Sequence, residues 1–89
     1  GVEVISNAKH MRLSQDIADE IAAALEIPTR RANGWYDYQK TGRTLGYCRA
    51  GGIIVEAFFI SNPEELAKFN ARYWAVARGI AAAVDRYFK

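Results

Sequence analysis

The apolar positions change period along the chain, and each change marks an element. Gly1 to Ile5 (GVEVI) is rich in β-branched residues, with Val2 and Val4 on one face, and reads as a strand. Ser6 and Asn7 supply turn chemistry. Leu13, Ile17, Ile21 and Leu25 then form one stripe of a helix widened by alanines, with Ser14 as its N-cap and Asp16 suiting its dipole. Pro28 closes that helix, because the residue before a proline is pushed out of the α region. Thr29 to Thr44 has no clean period. It holds Asn33-Gly34, Trp35, Tyr36, Tyr38 and Gly42 among the bases Arg30, Arg31, Lys40 and Arg43, and reads as a long ordered loop.

Leu45 to Arg49 reads as a brief edge strand broken by Gly51-Gly52. Ile53 to Ile60 (IIVEAFFI) is the strongest strand, apolar on both faces as in the middle of a covered sheet. Asn62, Pro63 and Glu65 make a helix start: an N-cap, a proline at the first helical position and an acid at the third. Ala71 to Phe88 follows as a long helix, with Trp74, Ala77, Ile80, Ala81, Val84 and Phe88 as its core stripe. Strand-helix-strand-strand-helix-helix predicts an α/β fold, part of a sheet covered by helices.

At 89 residues the chain has room for a single domain over 1–89. A domain this small buries only about 60–65% of its unfolded surface and folds with little margin. Half the residues are apolar, which excludes a disordered chain. No apolar run approaches the roughly 20 residues that cross a bilayer, so no membrane partner is expected. The net charge of +2 is mild, and with no nucleic-acid-binding motif no nucleic-acid partner is expected. Cys48 is the lone cysteine and His10 the lone histidine, so neither an internal disulfide nor a histidine metal cluster can form. The chain opens on Gly1, already inside a strand-like run, as a fragment or processed product does.

Glu56 is the one polar group in IIVEAFFI, near the C-terminal end of its strand, where crevices of α/β sheets open. Burying an unpaired carboxylate is costly, so a charge there wants a reason. From the pattern alone two readings stand level: a general acid–base, or a carboxylate that escapes to solvent at a sheet edge or pairs with Arg49. Trp35, Tyr36, Tyr38 and Arg43 either hold sugar rings or peptide carboxylates at a cleft rim or simply pin their loop to the body. His10 stands in a loop beside Lys9, with no second ligand at metal spacing, and reads as an exposed loop residue. Cys48 has no base nearby and reads as a buried structural thiol.

The stretch IIVEAFFISNPEEL resembles the signature late in the zinc-dependent N-acetylmuramoyl-L-alanine amidases of bacterial autolysins and phage endolysins. The match falls on Val55, Glu56, Phe58, Phe59, Ile60, Ser61 and Asn62. GVEV resembles that family's strand after its last zinc-binding histidine, LSQDIADEIAAAL the helix that follows, LGYCR the segment before the glutamate strand and ARGIAAAVDRYF the closing helix with its Gly-Ile step. The likeness covers nearly the whole chain, in order, and implies the C-terminal half of an amidase catalytic domain. It implies Glu56 as the catalytic carboxylate, while Trp35, Tyr36 and Arg43 stand as candidate substrate contacts on the pattern of their loop alone. It also implies Zn²⁺ as cofactor of the complete enzyme, although the family's ligands, two histidines and a glutamate, all precede the strand that begins at Gly1. No metal ligand is therefore expected in this chain.

The expected partners are peptidoglycan and a complementing N-terminal half, or self-association through a sheet edge left open at Gly1 to Ile5. The expected setting is cell wall, periplasm or a phage-lysed host. The rival implication is a metal-free relative that binds cell wall or regulates without catalysis.

Overall fold

The β-branched run at the start of the chain forms β1 (Glu3–Ser6), which pairs along both of its edges. On one side lies β2 (Trp35–Asp37), parallel, with Val4 opposite Trp35 and Ile5 opposite Tyr36. On the other lies β3 (Ile54–Glu56), antiparallel, with Glu3 opposite Glu56 and Val4 opposite Val55. The computed structural model describes residues 1–31, 33–42, 45–58 and 61–89, and among these the sheet has three strands in the order β2-β1-β3.

Val2 and Val4 face the helix α1 (Met11–Leu25), whose buried residues are Leu13, Ser14, Ile17, Ala18, Ile21 and Leu25. The predicted stripe is thus the face that packs. The helix starts earlier than expected. Asn7 caps a single 3-10 turn at Ala8–His10 that runs into it, and Ser14 is buried inside the helix rather than capping it. Its end is a left-handed Glu26 (φ 57°) followed by Pro28. Lys68 Nζ donates to the Glu26 carbonyl at 3.1 Å, and the Arg72 guanidinium reaches Glu26 Oε1 at 3.0 Å. Cations there complement the negative end of the helix dipole.

The last helix, α3 (Pro63–Tyr87), begins as the sequence predicts: Asn62 Oδ1 accepts from the Glu64 and Glu65 amides, both at 3.1 Å, with proline in the first turn. Arg72 leaves helical geometry and bends the helix, giving the expected pair of closing helical segments. It packs along α1 through Val76 and Ala83, with Phe69 and Ile80 beside them. Gly79 permits that approach, since a Cβ there would stand 3.0 Å from Glu20 Cβ. The fold is α/β, helices packed on a sheet, with strands and closing helices in the expected succession.

Four local expectations are corrected. Leu45 to Arg49 is not a strand: Gly46–Arg49 is one helical turn, α2, which buries Cys48 against Ile5. Both edges of β1 are already paired, so no slot remains there for another strand. The second strand along the chain lies instead in the supposed loop, as β2, and Tyr38–Lys40 adds a 3-10 turn. Among the described residues the glutamate strand is short and at the edge, not central, with Val55 37% exposed. Its predicted end at Phe59 and Ile60 lies outside the described residues. Finally, the apolar stripe assigned to the core of α3 is mostly exposed. Trp74 is 65% and Phe88 77% accessible, because α3 turns Val76 and Ala83 toward α1 instead.

Candidate active site

Side chains alternate across a strand, so Val4 and Ser6 point toward α1 while Glu3 and Ile5 point away. Residues directly opposite in an antiparallel pair share a face with their Cβ atoms about 5 Å apart. Glu56 therefore stands beside Glu3, on the sheet face turned away from α1. Like charges so placed repel. Glu3 is buried, 5% exposed, and the loop before β2 supplies its cations: Arg30 Nη1 lies 3.7 Å from Oε2, and Arg31 Nε approaches Oε1. That second contact is an ion pair without hydrogen-bond alignment. Glu56 is half-buried, and among the described residues nothing hydrogen-bonds or ion-pairs with it. The pairing with Arg49 is absent among the described ion pairs. Among the described residues the glutamate is an unpaired carboxylate at the C-terminal end of β3, next to one held by two cations.

The aromatic segment belongs to the same neighbourhood. Tyr36 lies on the Glu56 face of the sheet, and the Arg31 guanidinium sits 3.8 Å from its ring centroid. Its hydroxyl donates to the Lys40 carbonyl at 2.7 Å. Trp35 points to the α1 face, where its indole N–H donates to Ser6 Oγ at 3.0 Å. These bonds pin the segment to the body, while Arg31, Trp35, Tyr36, Asp37 and Lys40 still line an open hollow of about 210 Å³ at the β2 edge. A larger hollow, about 350 Å³, lies between the ends of α1 and α3 and does not include Glu56. Arg43 lies outside the described residues, and Tyr38 opens the 3-10 turn after β2. Sequence reasoning missed Glu3 and Arg31; the signal available was a glutamate among β-branched residues in GVEVI, a charge as unusual in its run as Glu56 is in its own.

His10 closes the 3-10 turn, half-buried rather than exposed, with Nδ1 buried and lacking a hydrogen-bond partner. Among the described residues no group of three His, Cys, Asp or Glu side chains could hold a metal ion. The described residues thus do not fit the zinc that the resemblance implies. Cys48 is fully buried and burial pushes its thiol pKa up, which suits packing and not nucleophilic attack. No helix among the described residues is long and apolar enough to cross a membrane.

No family model matches the sequence, and no curated protein matches it. Among solved structures, the crystal structure of a Neisseria meningitidis protein provisionally named an N-acetylmuramoyl-L-alanine amidase matches with a TM-score of 0.90 and 32% sequence identity. The match covers 99% of this chain and 49% of that one, so the chain spans about half the length of that protein. This chain has the fold of the matched half, and the resemblance carried by IIVEAFFISNPEEL is supported at the level of the fold.

Proposed function

We propose that this chain is the part of a peptidoglycan amidase that carries its general acid–base, Glu56, and that it cleaves the amide between N-acetylmuramic acid and L-alanine once completed by a second half. One observation carries the reading: in a chain so similar to a provisionally named amidase, Glu56 is a half-buried carboxylate with no partner among the described residues. Structural carboxylates in such places are paired, because desolvation disfavours a lone charge. A carboxylate kept free can take the proton from an attacking water and return it to the departing amine, a contribution typically worth about 10²–10⁴-fold in rate. Glu3, held by Arg30 and Arg31, keeps that end of the sheet polar without taking part itself.

Zinc, if the complete enzyme holds it, would polarise the scissile carbonyl and acidify water. Its ligands belong in this proposal to the half that the chain does not span. The hollow at Trp35, Tyr36 and Lys40 is the candidate rim for glycan or stem peptide. A second reading, a metal-free protein that binds cell wall without cutting it, draws on the lack of a ligand set among the described residues.

The test is Glu56→Gln in the completed, zinc-loaded enzyme acting on purified peptidoglycan. Gln keeps size and hydrogen-bonding reach but shuttles no proton, so turnover should fall by about 10²–10⁴-fold with fold and metal content retained. Stability should hold or rise, since a partly desolvated charge is removed. Near-normal turnover would sink the assignment, and wild-type binding without turnover would favour the second reading.

A further inference from the structure

The larger hollow, about 350 Å³, is built by three segments that leave Glu56 out. Helices α1 and α3 run antiparallel, with Arg72 beside Glu26 at one end and Arg86 beside Asp16 at the other. The start of α1 therefore faces the end of α3, and the turn before β2 closes the third side with Asn33. These walls are held in place. Arg86 Nη1 reaches Glu20 Oε2 at 3.0 Å, and Nη2 reaches Asp16 Oδ2 at 3.5 Å. The Tyr87 ring stands edge-on to Phe88, their centroids 5.0 Å apart. Asn33 sits at φ 52°, its N–H donating to the Arg31 carbonyl at 2.8 Å. The Gly34 N–H then closes the turn on the Arg30 carbonyl at 2.7 Å.

What this frame leaves over is one charge of each sign. Arg12 and Asp16 stand one helical turn apart, a spacing at which such residues pair. Asp16 is turned to Arg86 instead, and among the described residues neither Arg12 nor Asp19 hydrogen-bonds or ion-pairs. Both line the hollow, and the two turns of helix between them set their Cα atoms about 10 Å apart along one face. Two arginines face two aspartates in the lining, which thus favours neither a plain anion nor a plain cation. We propose that the hollow binds a short peptide with both ends free, its carboxylate on Arg12 and its ammonium on Asp19. The spacing selects it. The terminal charges of a dipeptide lie about 6 Å apart, and a bond of about 3 Å at each end spans the gap. Those of a single amino acid, about 3 Å apart, fall short of it. Tyr87 offers an apolar face to small side chains, and the Asn33 amide can donate and accept at the peptide bond. Glu56 takes no part, so the site stands whether or not the amidase reading does.

The experiment titrates the 89-residue chain, labelled with nitrogen-15, with alanyl-alanine and follows its amide chemical shifts. The Asp19, Asn33 and Tyr87 amides should move and saturate with a Kd on the order of a millimolar, as suits an open, water-filled site. The β3 amides should stay still. N-acetyl-alanyl-alanine lacks the ammonium and alanyl-alanine amide lacks the carboxylate, so each should bind about tenfold more weakly. Free alanine should bind more weakly than the dipeptide. Two variants at exposed positions then assign the ends without disturbing the fold. Arg12→Gln should bind the dipeptide and its amide alike, having lost only the preference for a free carboxylate. Asp19→Asn should bind the dipeptide and its acetylated form alike. Equal affinity of the wild-type chain for capped and free dipeptides overturns the proposal, and so does a titration without saturating shifts at these amides. Shifts that survive both substitutions unchanged overturn it as well. A swapped pattern, with Asp19→Asn erasing the carboxylate preference, overturns the assignment of ends.

Discussion

Ser6 offers the sharpest test of how the sheet, α1 and the aromatic segment are joined. Its hydroxyl, fully buried, donates to the Asn7 carbonyl at 3.1 Å and accepts the Trp35 indole N–H at 3.0 Å. The Ser14 hydroxyl, also fully buried, lies 2.7 Å away and is placed to donate to it. Ser6→Ala removes the hub and strands two donors. Each unsatisfied buried group costs about 1–3 kcal/mol. Trp35 is only half-buried and can reach water, and Ser14 can turn to a carbonyl one helical turn back, so the low end applies: about 2–3 kcal/mol together. Ser14→Ala leaves Ser6 with both other partners. It forfeits about 1 kcal/mol, partly offset by the better helix propensity of alanine. In a domain of this size 1 kcal/mol moves Tm by about 4–8 °C. Ser6→Ala should therefore lower Tm by roughly 10–20 °C and Ser14→Ala by less than about 8 °C. The double variant should cost less than the sum, because the two share one bond. Thermal unfolding followed by circular dichroism measures all three, and equal or reversed losses for the two single variants would refute the network.

Gly34→Ala should destabilise by about 2 kcal/mol or more, because Gly34 has φ +87° and an added Cβ would overlap Ala18 Cβ; Ala18→Gly should restore part of the loss, and a neutral Gly34→Ala in a urea titration would contradict the packing of this turn on α1. For Cys48, burial raises the folded thiol's pKa above that of an exposed thiol, so its contribution is fully present below the unfolded pKa and lost as pH rises through the native one. Stability should thus fall as pH rises from the unfolded pKa to the native one in wild type and fall less in Cys48→Ala, and in native protein the thiol should react with a disulfide reagent only as the chain opens; rapid labelling at neutral pH would contradict the burial.

The elements whose residues need only their own neighbours are legible in the sequence. The α1 stripe of Leu13, Ile17, Ile21 and Leu25 packs as its period predicts, and the Asn62-Pro63 start of α3 forms its cap with bonds between near neighbours. Glu56 stands out from its apolar run before any coordinate is known. What failed depended on partners far along the chain. Leu45 to Arg49 has strand-like residues, but β1 was already paired on both sides and a single turn buries Cys48 better. Trp35 and Tyr36 look like loop aromatics until β1 offers Val4 and Ile5 as a ladder.

Helical periodicity alone cannot say which of two apolar faces of α3 meets α1. That depends on where Gly79 lets the helices approach and where Arg72 bends the chain. Nor could spacing reveal that Glu3 stands opposite Glu56 and is held by Arg30 and Arg31, since register is a property of the paired strands. The amino-acid sequence by itself determined the packing face of the first helix, the cap of the last and the isolated carboxylate, because these follow from local period and local bonding. Tertiary structure decided strand order, the buried face of the last helix and the company that Glu56 keeps, because each is a competition between distant segments for the same surface.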